Sequence, residues 1–564
     1  MACDCSEKKP GKGLRSFWQG CGESKLIMIK RIFIQNYKIF DQFDLELNSD
    51  LNIVVGDNEA GKSTVLEAIN IALTKRLNGR LIEYEITPYL FNSECVDEYL
   101  KSLKDGKPVH LPEIIIELYL DAAPGLESLR GRMNSKKEDC IGIKIEIVFD
   151  EDYKEEYENL IKNVSEIKLI PAEYYKVQWY SFANNAITLR SLPLRLSYID
   201  ATTIRLQSGT DFYLQDIIKN DLNAKERVGL NVAYRNLKET FSQQESIKGI
   251  NDKLTSKKGA ITDKELSIAI DISQKSNWET NLVPHLDDLP FQLIGKGEQN
   301  ALKIMLALER KAGESHIILI EEPENHLSFS SMNTLVSKIR EKCEGKQIII
   351  TTHSAYVLNK LGLEHLILLH FNGNTKKTET TTLKNLPDDT QKYFKILSGY
   401  DTLRLVLAKK AILVEGPSDE LIVQKAYLKK YKKLPIEAGL DVINVRGLSF
   451  CRFLDIAKEL KKDVVVVTDN DGDYENKVDK KYESYKKLSN IAICRSDNNS
   501  SPTLEPQIVE CNKLEILNKI LGKSFQDKKT MSDYMKTSKT ECALKIFETQ
   551  ENITFPQYVE DAIK

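Results

Sequence analysis

Apolar residues recur along this chain in two strand-like rhythms, and each predicts a different environment. Alternation with period two over Leu26–Phe40 and Phe43–Leu47 predicts strands with one buried face, and it returns at Ile114–Leu120, Ile141–Phe149, Tyr174–Trp179 and Leu194–Ile199. Unbroken apolar runs at Leu51–Val55, Ile317–Ile320, Gln347–Ile350, Ala411–Val414 and Val464–Val467 predict strands buried on both faces, as in parallel sheets covered by helices. Helical runs follow at Val65–Leu73 and Ala301–Leu308, and residues from about 211 to 287 read as helical, polar and without evident chemistry. The expected class is α/β. In such sheets ligands gather at the carboxyl ends of the strands.

The loops at those ends carry the candidate chemistry. After Leu51–Val55 comes Gly56-Asp-Asn58-Glu-Ala-Gly61-Lys62-Ser63-Thr64 and then a helix, the order of a P-loop. Glycines there let backbone N–H groups close on phosphates at a helix N-terminus, Lys62 reaches the β and γ phosphates, and Ser63 offers a hydroxyl to Mg²⁺. Gly295-Lys-Gly297-Glu-Gln299 opens a later helix. The run ending in Glu321-Glu322 suits a nucleotide site, Glu321 for the Mg²⁺ shell and Glu322 for the attacking water. His353, at the end of the Gln347 run, falls where a γ phosphate would lie.

A second set of acids follows two more buried runs. Glu415 and Asp419 stand in Glu-Gly-Pro-Ser-Asp, and Asp469, Asp471 and Asp473 in Asp-Asn-Asp-Gly-Asp. Oxygen ligands from neighbouring strand ends suit hard divalent cations, and a pair of ions about 4 Å apart would support in-line hydrolysis of a phosphodiester. Asp419 either shares a metal or caps the helix, and Asp473 reads as outside the cluster. Two lysine and tyrosine runs, Tyr427–Lys433 and Lys477–Lys487, are either phosphate contacts or solvated helix faces.

Composition narrows the setting. The 564 residues are too many for one core and suggest about three to four units. With 41% apolar and 29% charged residues and a net charge of -3, no global field attracts a polyanion, so such a partner must meet local patches. Ten cysteines without paired spacing, and no secretory leader or long apolar span, point to reduced thiols, a cytoplasmic setting and no membrane. Cys3, Cys5 and Cys21 lack a fourth zinc ligand nearby.

Taken together, the P-loop, the Gly295 to Gln299 signature, the Glu321-Glu322 strand and His353 resemble an SMC-type or ABC-type ATPase head. The Glu415 and Asp469 motifs resemble a Toprim domain. The combination resembles the OLD (overcoming lysogenization defect) family of ATP-dependent nucleases over nearly all of residues 28 to 564. That resemblance implies an N-terminal ATPase with a helical insert followed by a C-terminal Toprim domain. The expected spans are 1–25 as a flexible extension, 26–210 and 288–395 as the ATPase lobes, 211–287 as an insert used in dimerisation, and 405–564 as the nuclease. Residues 371–405 would form the boundary. It further implies ATP between paired heads in a homodimer or higher oligomer, the signature of one head closing on the P-loop of the other. Mg²⁺ or Mn²⁺ would serve both sites, and DNA would be the substrate. Lys38 would touch the nucleotide, Glu505 would join the metal cluster, and Lys539 would face the scissile phosphate. Bacterial antiphage defence of the Gabija-like or retron-associated kind is the implied setting, alone or beside a helicase or a retron-type reverse transcriptase with its DNA.

Three departures from the pattern stand out. No glutamine marks a Q-loop, for which Pro88–Asn92 is the nearest candidate; the chain is too short for a long coiled coil; and Ser-Phe follows His326-Leu327. A non-cutting, ATP-dependent nucleic-acid clamp is the alternative activity. A topoisomerase would need a separate DNA-gate domain and a primase a zinc module, and neither is present.

Overall fold

The computed structural model describes residues 27–107, 110–162, 167–189, 191–192, 194–200, 206–207, 210–211, 222–256, 267–268, 283–309, 317–342, 345–373, 375–447 and 449–564. The expected extension at 1–25 lies outside them, as does much of the expected insert. Within the insert the helices Ala224–Gln243 and Glu245–Thr255 are described, the first opened by an Asn223–Glu226 capping box.

Three main sheets organise the described residues. The first runs in the order Leu196–Asp200, Ile317–Glu321, Gln347–Thr351, Leu51–Gly56, Leu366–Asn372, Lys377–Thr382, with the first five strands parallel. Its Leu51, Ile317 and Gln347 strands are buried at every position, as their continuous apolar runs require. Parallel direction brings Gly56–Thr64, Glu321-Glu322 and His353 to one edge. A second, antiparallel sheet joins Phe40–Glu46, Ile29–Tyr37, Ile114–Leu120 and Cys140–Phe149, the last also pairing with Arg130–Gly131 and Tyr175–Ser181. Gln347, fully buried, clips the two sheets together: its amide accepts from Ile29 N and donates to the Ile29 and Asn48 carbonyls, each at 2.8 Å. The third sheet is wholly parallel, in the order Leu440–Asn444, Lys410–Val414, Asp463–Val467, Ile491–Cys494. Glu415 and Asp469 therefore leave adjacent strands at the same edge.

The segment 371–405 is more than a boundary. Its threonine run, Lys377–Thr382, pairs antiparallel with Leu366–Asn372 and completes the edge of the first sheet. Threonine is β-branched and suits an edge strand whose side chains are only partly covered. Two helices follow, Asp388–Ile396 and Thr402–Leu407, and their Phe394, Leu405 and Val406 are fully buried. They belong to one apolar core that also contains Val55, Ile320 and Ile350 of the first sheet, Leu413 and Val466 of the third, and Phe453 of the helix Phe450–Glu459. Phe394 and Phe453 meet edge to face, centroids 5.2 Å apart.

Truncation in this common core should be felt on both sides of it. Phe394→Ala should cost about 3–5 kcal/mol, and thermal melts followed by limited proteolysis should show sites in residues 317–372 and in residues 410–564 exposed at the same lowered temperature. Loss on one side alone would contradict a shared core.

Candidate functional site

At the edge of the first sheet two glycines make the P-loop possible. A Cβ on Gly56 would stand 2.5 Å from the Leu369 carbonyl oxygen. Gly61 has φ +95°, and a Cβ there would stand 2.5 Å from the Phe40 ring, so only glycine turns the chain into the helix Lys62–Thr74. The buried Lys62 ammonium donates to the carbonyls of Gly56 at 3.0 Å and Asp57 at 2.9 Å. Burial lowers its pKa, and Glu322, Asp57 and Glu321 oppose that shift. Asn58 and Ser63 are exposed beside it and Thr64 is half-buried.

The acids sit across from this loop. Glu321 is buried, which raises its pKa, while hydrogen bonds from Ser63 and Tyr198 favour its charged form; Tyr198 Oη donates at 2.9 Å. Glu322 adopts a left-handed backbone, φ +46°, and its carboxylate accepts from Asn325 at 2.7 Å and lies 3.6 Å from His353 Nε2. Burial and the nearby Lys62 hold the His353 imidazole below its ordinary pKa, with Glu322 opposing. A largely neutral imidazole can donate or accept toward a phosphate group. Lys38, also left-handed, pairs with Glu67 of the P-loop helix at 2.5 Å. Its backbone is pinned by the Leu90 carbonyl and by the Asn92 amide, so Pro88–Asn92 buttresses Lys38 and presents no glutamine to it.

Lys296–Gln299 form the first turn of the helix Lys296–Glu309, which packs against the turn after Glu322. A Cβ on Gly297 would stand 2.1 Å from the His326 carbonyl oxygen, whereas Gly295 has open space around it. Gln299 is buried and gives its amide to the Phe291 and Ile294 carbonyls, both at 2.8 Å. It ties the helix to the turn that precedes it, Phe291–Leu293.

At the edge of the third sheet, Glu415 accepts from Thr468 Oγ1 at 2.8 Å and from Asp469 N at 3.3 Å, which ties the two strand ends together. Asp419 accepts from Gly416 N at 3.1 Å in a helix-capping contact. Glu505 is buried, takes a hydrogen bond from Thr503 at 2.8 Å and pairs with Lys539 at 3.3 Å. Burial and mutual repulsion among these acids push Asp469 up to about 8 and Asp419 up to about 7. Burial works against the Lys539 charge, but Glu505, Asp469 and Asp419 outweigh it and raise that pKa. Asp471 has a left-handed backbone, φ +51°, and is exposed on the turn beyond the group. Asp473 accepts from Asn476, outside the group. Among the described residues no three acids already form a closed metal cage. The donors are nevertheless hard oxygens crowded into shared repulsion, which a divalent cation would relieve.

With this geometry in view, the comparisons with known proteins are decisive for the first half. A family model described as an AAA ATPase domain matches residues 28–358. The chain belongs to the AAA ATPase domain family. Residues 406–471 match an overcoming lysogenization defect protein-like TOPRIM domain, a span that holds Glu415, Asp419, Asp469 and Asp471. This AAA ATPase is 22% identical to "Endonuclease GajA" of Bacillus cereus (strain VD045) over 471 residues, 78% of this chain and 74% of that protein. It is 23% identical to "OLD nuclease" of Thermus scotoductus over 477 residues, 79% of this chain and 82% of that one. An Smc head domain with an extended coiled coil, derived from Pyrococcus furiosus, superposes with a TM-score of 0.34 at 14% identity, covering 66% of this chain and 99% of that one. The chain thus joins an ATPase domain to a TOPRIM domain, a pairing that implies use of a nucleotide and of divalent metal. No helix among the described residues is long and apolar enough to cross a membrane.

Several participants escaped the sequence. Tyr198 and Asp200 end the strand beside Glu321, Asp200 in register with it, and an acid closing an alternating strand was the available signal. Glu324 accepts from Thr352 Oγ1 at 2.8 Å and from His353 N at 2.7 Å, so it positions the histidine loop. Tyr558, from the last helix, lies close enough to Asp469 and Asp419 that they, with burial, raise its pKa. No local pattern announced it. The Tyr427–Lys433 run is partly structural: Lys429 donates to the Ile553 carbonyl at 2.6 Å and Tyr427 is buried.

The raised acids make a stability prediction for the metal-free protein. Asp469 and Asp419 hold protons in the folded state that the unfolded chain has released, so stability falls as pH rises from about 4, where free aspartates titrate, to about 8. Asp469→Asn should therefore melt at a higher temperature than the parent at pH 8 in chelator, with the gap closing near pH 4. A gap independent of pH would contradict the repulsion.

Proposed function

We propose that this protein is an ATP-gated, divalent-metal-dependent DNA endonuclease and an effector of antiphage defence. The observation that carries the reading is the group of Glu415, Asp419, Asp469 and Glu505 around Lys539, beside a separate P-loop site in the same core. A carboxylate set of this kind has little use in mere binding of a polyanion, which it would repel. The names of the two nuclease relatives point the same way.

At the nucleotide edge, the P-loop amides and Lys62 hold the phosphates of ATP, and Ser63 with Glu321 holds Mg²⁺. Glu322 orients or deprotonates the attacking water, kept in place by Asn325, and His353 meets the terminal phosphate. Gly295 and Gly297 of a second copy close over that ATP, with Gln299 anchoring their helix to the turn before it, so ATP ties two heads into a dimer or higher oligomer. Lys38 approaches the nucleotide from the antiparallel sheet. At the other edge, Glu415, Asp419, Asp469 and Glu505 would hold Mg²⁺ or Mn²⁺, and the exposed Asp471 would meet it from the turn beyond the group; when bound, the metal would supply an activated water and stabilise the leaving oxygen. Lys539 is drawn to the scissile phosphate, for which it would exchange Glu505. The cysteines at 95, 140, 451, 494, 511 and 542 are free, in keeping with a reducing cytoplasm. A helicase or a retron-type reverse transcriptase with its DNA is the proposed companion.

Plasmid DNA incubated with the protein in Mg²⁺ or Mn²⁺, with ATP, ADP and a non-hydrolysable analogue side by side, tests the reading. Nicking or linearisation is expected, and Glu415→Ala should lower it on the order of 10²-fold or more, the scale on which transition-state groups act. Absence of cutting under every nucleotide condition would leave only a DNA-binding clamp. Lys62→Ala should abolish nucleotide binding, measured by fluorescent ATP titration, and alter cutting; undiminished binding would exclude the loop as the ATP site.

A further inference from the structure

Between the helix Asp388–Ile396 and the turn after the strand Leu440–Asn444 lies a cavity of 640 Å³, lined among others by Tyr393, Arg446, Arg452, Asp455 and Tyr485. One of its walls is tied to the other strand edge, where Gly447 N, next to Arg446, donates to the backbone carbonyl of Glu415 at 2.8 Å. The turn that bears Arg446 therefore starts from the backbone of a candidate metal ligand.

The lining has the chemistry of a nucleotide. Arg446 is exposed, holds a left-handed backbone with φ +53°, and rests 5.6 Å from the Tyr400 ring centre; among the described residues no carboxylate pairs with it. Arg452 gives one nitrogen to Thr390 at 3.0 Å and has Asp389 at 3.7 Å. Asp455, the acid of the lining, is engaged by the Thr390 and Tyr485 hydroxyls, the latter at 2.7 Å. Arg446 is thus the guanidinium without a carboxylate partner among the described residues, while Arg452 has Asp389 nearby and Asp455 is engaged by two hydroxyls. Lys481 lies nearby, over the Tyr482 ring at 5.1 Å. Tyr485 and Lys481 both come from the Lys477–Lys487 run, whose Tyr482 is buried. Guanidinium forks match phosphate oxygens, and tyrosine rings offer a face to any base.

We propose that this cavity is a subsite for one nucleotide of the DNA strand flanking the scissile bond. Its phosphate sits between Arg446 and Arg452 and its base against Tyr393 or Tyr485. The assignment rests on the nuclease reading, and it makes the cavity a place where the substrate is aligned over the acids rather than cut.

The test is the anisotropy of a fluorescent single-stranded oligonucleotide bound to the full chain in Ca²⁺ over a salt series. Arg446→Gln keeps the stem over Tyr400 and removes the charge; affinity should fall about 5–20-fold, and the slope of log affinity against log salt should become shallower by about one. Arg446→Lys should recover most of the loss, and Tyr485→Leu should weaken binding about 5-fold or more without changing the slope. ATP hydrolysis in the absence of DNA should match the parent in each variant, which certifies the fold. Parental affinity and slope in Arg446→Gln would overturn the subsite. Failure of the nuclease reading would show elsewhere, as a parent chain that neither binds the probe nor cuts plasmid.

Discussion

A single apolar core, which includes the contact of Phe394 with Phe453, packs against both the nucleotide edge and the carboxylate edge. Cores are packed to crystal-like density and shift between discrete arrangements more readily than they deform. Asn359 adds a polar lock to the same region. Fully buried, it donates to the Ser398 carbonyl at 3.2 Å and the Tyr400 carbonyl at 2.9 Å and accepts from Thr402. Its helix, Ala355–Leu361, begins two residues after His353. Buried contacts thus link the helix after His353 to the segment 398–402 that precedes the Lys410–Val414 strand.

Both edges gather acids around a single lysine. At the P-loop Glu321, Glu322 and Asp57 surround Lys62 and oppose the effect of burial on its charge. At the second edge four acids share one lysine, and the protein holds Asp469 and Asp419 where they resist ionisation. That imbalance is a standing affinity for cations, set by the parallel order that makes the Lys410 and Asp463 strands neighbours.

Much of the site was legible because its chemistry is local. The P-loop lies within nine consecutive residues, and Glu415 with Asp419, or Asp469 with Asp471, lies within one turn of chain. Strand type was legible for the same reason, since period and apolar run length report burial directly. The threonine run misled because polar β-branched residues read as linker until an edge is found for them, and that edge is Leu366–Asn372.

By itself the sequence determined which strands are buried, where the P-loop glycines stand, and which acids end which strands. Only the tertiary structure decided that Asp419 belongs with Asp469 and Glu505 while Asp471 stands exposed, that Tyr558 closes in behind them, and that Arg446 shares a cavity with Tyr393 and Tyr485. The physical reason is separation along the chain. Burial and local turns are properties of a few neighbouring residues, whereas electrostatic grouping depends on distances in space, which strand order and a common core impose on residues far apart in sequence.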